Sequence, residues 1–82
     1  MKLSEFKVVK NRKMPEMCYS YEKYNLNKTE KYSIFTMDSG KTFLSSVISI
    51  NHAGELVDTD YSKTFNSANE GLVGILEYLK NK

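Results

Sequence analysis

The hydrophobic period of this chain changes once, at Ser67, and that change restricts the fold more than any other feature of the sequence. Ser67-Ala68-Asn69-Glu70 carries both halves of a capping box. The serine hydroxyl can accept from the amide three residues on, while the glutamate reaches back to the amide of Ser67. Behind it, Ala68, Leu72, Ile75, Leu76 and Leu79 recur at helical spacing, which predicts one amphipathic helix over 67–81. Everything upstream alternates with period two.

That upstream part reads as a β-meander over 16–62. Met17 to Tyr24 is rich in strand formers, with Tyr19 and Tyr21 on one face and Cys18, Ser20 and Glu22 on the other. Asn25 to Glu30 has turn chemistry, Tyr32 to Met37 is the next strand, and Asp38-Ser39-Gly40 supplies a hairpin with Gly40 suited to positive φ. Thr42 to Ile50 is the most regular strand. Asn51-His52-Ala53-Gly54 turns the chain, and Leu56 to Tyr61 returns antiparallel. Residues 1–15 form a basic arm or a short strand around Phe6 to Val9, with Pro15 interrupting backbone pairing. The expected fold is α+β in two layers: a four-stranded antiparallel meander, with room for a fifth strand, covered on one face by a single C-terminal α-helix.

Eighty-two residues make one domain with one modest core. A chain of this size buries roughly 60% of the surface its unfolded form exposes, so a partner or a second copy would add needed stability, and homodimerisation is an open expectation. The net charge of +2 is too small to argue for nucleic acid by itself. Its distribution says more. Residues 1–15 set five cations against Glu5, whereas residues 42–82 set three lysines against five acids. Met1 to Glu5 lacks the apolar run of a signal peptide and no stretch approaches membrane-spanning length, which makes the cytoplasm the default compartment.

The inventory of reactive groups argues against an enzyme. Cys18 is the only cysteine and His52 the only histidine, and His52 falls in an expected hairpin tip. No intrachain disulfide, thiolate zinc framework or phosphate-cradling glycine loop is encoded, so no cofactor site is expected. Asp58 and Asp60, spaced by two on a strand near Glu55, could hold a hard cation, but such ions take more oxygen ligands. Charges on an edge strand guard it against unwanted pairing, and that is the preferred reading of the pair.

One helix covers only one face of such a sheet. With the helix placed over Leu44, Ile48 and Ile50, the face holding Phe43 and Val47 would stay open, with Phe35 as a further open aromatic. Together with the acidic edge of Glu55, Asp58 and Asp60, it makes a candidate surface for a protein partner. A stoichiometric inhibitor, an adaptor and a subunit all fit this pattern. The Lys-, Asn- and Ser-rich composition suggests an AT-rich coding source, and by association alone a phage or mobile-element inhibitor of a host enzyme or defence complex is one such binder. The alternative is single-stranded nucleic acid, stacked on Tyr19 and Tyr21 and attracted by Lys7, Lys10, Arg12 and Lys13.

The meander followed by Thr64 to Leu79, a strand end, a short turn and a helix, resembles in outline the single-stranded-DNA-binding coactivator-like proteins. The resemblance implies a nucleic-acid-binding sheet. Those proteins bring a basic, glycine-containing segment to their last strand, where this chain has Glu55-Leu56-Val57-Asp58. The likeness is one of architecture, and folds of this size host many functions.

Overall fold

The computed structural model describes residues 1–10, 18–37 and 40–82. A short 3₁₀ turn, Leu3–Glu5, precedes five strands and one helix: β1 (Lys7–Val9), β2 (Ser20–Tyr24), β3 (Glu30–Met37), β4 (Thr42–Ile50), β5 (Leu56–Phe65) and α1 (Ala68–Lys80). The strands form one antiparallel sheet in chain order, β1-β2-β3-β4-β5. The fifth strand is therefore present, and the class is α+β with the helix packed on one side of an open sheet. Arg12 and Lys13, with Pro15, Met17 and the turn residues Asp38 and Ser39, lie outside the described residues.

Asparagine builds two of the turns. Asn25 Oδ1 accepts from the amides of Thr29 and Glu30 at 2.8 and 3.0 Å. Asn51 Oδ1 accepts from Ala53 and Glu55 at 3.0 and 2.9 Å. Each side chain stands in for a backbone carbonyl and closes the turn before the next strand begins. Gly40 takes φ +90°, as its place before β4 requires.

The helix begins as the capping box dictates. Ser67 is extended and its hydroxyl accepts from the Glu70 amide at 3.1 Å. The Glu70 carboxylate turns back to the amide of Asn66, one residue before the serine the motif would lead one to expect.

The helix covers the opposite face from the one its hydrophobic counterparts suggested. Buried against it are Tyr32, Ile34 and Thr36 of β3, Ser45 and Val47 of β4, and Tyr61 of β5. Val47 is thus a core residue, 1% exposed, and Phe43 packs against the same core. Leu44, Ile48 and Ile50 remain on the uncovered face, each partly exposed. The reason lies in size. Gly71 sits over Ile34 and Ser45, and a methyl group there would stand 3.2 Å from Ile34 Cγ2 and 3.5 Å from Ser45 Cβ. A glycine opposite a serine lets the two backbones approach. The buried Ser45 hydroxyl donates to the Gly71 carbonyl at 2.8 Å and meets the Tyr61 hydroxyl at 3.3 Å, so no polar group is stranded.

Gly74, which lies off the apolar stripe by sequence, is also buried. A Cβ there would fall on the Tyr61 hydroxyl and 2.6 Å from Phe65 Cζ. The two glycines turn the helix towards β5. Leu72 and Ile75 are buried as expected, but Leu76 is left 38% exposed.

Candidate functional site

β5 is the long edge of the sheet, at ten residues against three for β1 at the other edge. Among the described residues no strand pairs with its outer side. Its two halves differ. Between the pairs Ser46–Ser62 and Ile48–Asp58, β4 contributes Val47 alone while β5 contributes Thr59, Asp60 and Tyr61. The surplus residues bulge, and the Thr59 hydroxyl secures the bulge by donating to the Val47 carbonyl at 2.6 Å. Beyond it the strand is regular: Ser62, Lys63, Thr64 and Phe65 stand opposite Ser46, Ser45, Leu44 and Phe43.

A groove of about 730 Å³ runs along this regular half, between β5 and α1. Tyr61, Lys63 and Phe65 form one wall and Val73, Gly74, Glu77 and Tyr78 the other, with Asn81 also lining it. Gly74 shapes it, because the helix backbone there rests against the Tyr61 and Phe65 rings. The Tyr61 and Tyr78 rings pack with centroids 5.0 Å apart, and the Tyr78 hydroxyl donates to Asp60 Oδ1 at 3.2 Å. Apolar surface therefore meets a rim of charge: Glu70 and Glu77 from the helix, and Lys63 from the strand. The Lys63 ammonium lies 6.0 Å from the Tyr61 ring centroid. Glu77 has no ion-pair partner among the described residues.

The residues expected to bind a protein partner divide into three groups. Phe35 does lie on the uncovered face, opposite Leu44 in the β3–β4 pair, and it is partly exposed. Phe43 and Val47 belong to the helix side and are withdrawn from that surface. Glu55, Asp58 and Asp60 are exposed along the final turn and edge strand. Asp58 faces Ile48 across the ladder, whereas Asp60 is engaged by Tyr78.

The nucleic-acid set is split across the sheet. Lys7 pairs with Glu22 on the uncovered face, while Val8 pairs with Tyr21 on the helix side. Tyr19 and Tyr21 stack edge to face, 5.4 Å between centroids, and Tyr21 leans on the core. Its hydroxyl is held above the usual tyrosine range, first by the hydrogen bond with Tyr19 and then by burial. Lys10 is exposed just beyond β1, and Arg12 and Lys13 fall outside the described residues.

The groove itself was missed by sequence reading. Its one signal in the sequence is Gly74, a glycine in a helix interior off the apolar stripe. No helix among the described residues is long and apolar enough to cross a membrane. Compared with known proteins, the chain matches no family model, no curated protein and no solved structure.

Proposed function

We propose that this chain is a non-enzymatic protein-interaction module that pairs an extended segment of a partner protein with the regular half of β5. The observation that carries this reading is the combination at one place of a strand edge left unpaired among the described residues and an adjoining groove with an apolar floor. Backbone groups along Ser62–Phe65 supply pairing, and the groove beside them receives alternate side chains of the added strand. The bulge and the aspartates Asp58 and Asp60 protect the other half of the same edge. An inhibitor, an adaptor and a subunit would all dock in this way. The nucleic-acid alternative draws less support, since Lys7 stands on the opposite face from Tyr19 and Tyr21.

The test is a selection of random linear peptides against the full chain, followed by amide shift mapping of the enriched peptides. Perturbations centred on Ser62–Phe65 and Val73–Tyr78 are expected. Perturbations centred instead on Phe35, Leu44 and Ile48 would move the binding surface to the uncovered face and refute strand addition at β5.

A further inference from the structure

We infer that the segment received by the β5–α1 groove is basic: an extended peptide whose lysine or arginine side chain pairs with Glu77, next to an apolar side chain seated on Val73 and Gly74. This rests on the reading of β5 as a pairing edge and specifies the partner's chemistry. Of the charged groups lining the groove, two are carboxylates, Glu70 and Glu77, and one is an ammonium, Lys63. Glu70 already accepts from the Asn66 amide. Lys63 lies near the Tyr61 ring. Glu77 is left as an exposed carboxylate with no ionic partner among the described residues, on the helix wall that faces the added strand.

The apolar part of the groove fixes where that cation would stand. Val73 is 53% exposed beside Gly74, and Glu77 follows one helical turn later on the same side. A strand side chain resting on Val73–Gly74 therefore places a neighbour two residues along, on the same face of the added strand, near Glu77. An acidic segment would meet Glu70 and Glu77, and Asp60 beyond them, with Lys63 alone to offset them. A second copy of this chain adding its own β5 in antiparallel fashion would bring Lys63, two positions from Phe65, but also Asp58 and Asp60, so its charges offset one another where those of a basic segment do not. Charge complementarity favours a basic segment of a different protein.

Display selection from a random peptide library is run in parallel on the unaltered chain and on Glu77→Lys and Glu77→Gln. Glu77 is exposed, and a lysine near a helix C-terminus suits the helix dipole, so folding is preserved. The expected result is enrichment of lysine or arginine two positions from an apolar residue. Glu77→Gln should weaken these peptides several-fold and Glu77→Lys at least tenfold, with the lysine variant enriching acidic peptides instead. Affinity should fall with salt, as for other rim charges. Peptides that shift Ser62–Phe65 amides but show no basic preference and bind Glu77→Lys equally well would overturn the inference and leave strand pairing at β5 standing. Enrichment of peptides that map to the uncovered face, or no enrichment at all, would overturn both.

Discussion

Gly74 shows how much a missing side chain can decide. An alanine there gains about 1 kcal/mol in intrinsic helix propensity. It must also displace the Tyr61 and Phe65 rings, and overpacking of that kind costs about 1–3 kcal/mol. We expect Gly74→Ala to lower the urea midpoint. Gly71→Ala meets the Cγ2 methyl of Ile34 at 3.2 Å and Ser45 Cβ at an ordinary contact distance of 3.5 Å, and should leave stability within about 0.5 kcal/mol of the parent, propensity offsetting contact. Equal midpoints for the two variants would contradict the close approach at Gly74. Tyr32 gives a second residue-scale test. Burial, then the charge of Glu30 and the hydrogen bond to it, raise its hydroxyl above the ordinary value near 10. Above that pH the unfolded chain releases the proton while the folded chain keeps it, so stability falls as pH rises further. Urea midpoints should therefore decline above pH 10, and Tyr32→Phe should flatten the decline, with Tyr21 accounting for part of what remains. An unchanged slope in Tyr32→Phe would count against the assignment.

At the scale of elements, the sequence was readable wherever side chains carry the signal. Thr42–Ile50 falls where alternation placed it, and the Ser67 cap starts the helix at Ala68. What alternation could not tell was which face of β4 the helix would choose. The more hydrophobic face of β4, with Leu44, Ile48 and Ile50, lost to the face with Ser45, because the other strands add Tyr21, Tyr32, Ile34 and Tyr61 to that second face and Ser45 admits the helix backbone. Hydrophobic scales give Gly71, Gly74 and Ser45 little weight, and the rotation of α1 towards β5 follows from these three. The rotation has a measurable consequence. Leu72→Ala should cost about 2–5 kcal/mol, as for buried leucines generally, and Leu76→Ala much less. Comparable losses in chemical denaturation would mean that the helix faces the sheet as its apolar stripe alone would dictate. β5 runs four residues past its expected end at Tyr61, because Phe65 still pairs with Phe43.

For the whole molecule, the sheet has unequal ends. β1 pairs over three residues, none of them fully buried, whereas β3 and β4 are flanked on both sides by strands and packed by α1. Local opening should follow this gradient. Native-state hydrogen exchange is expected to release β1 amides well before those of Ile34 and Val47, and uniform protection across the sheet would refute it. The gradient leaves the β5–α1 side as the firm side, where a partner would find a preformed edge. The architecture could be anticipated from periodicity. The groove could not, since it is made by a helix lying closer to a strand than its side chains advertised.

Asn81 lines the groove, and Lys82 follows it directly. Anything joined after Lys82 is therefore tethered at the mouth of the site, and a short flexible tether holds its cargo at millimolar effective concentration. A basic extended segment joined there would compete with a partner as an intramolecular ligand, lowering apparent affinity with no change in the groove itself. A segment joined ahead of β1 would instead be held at the far edge of the sheet.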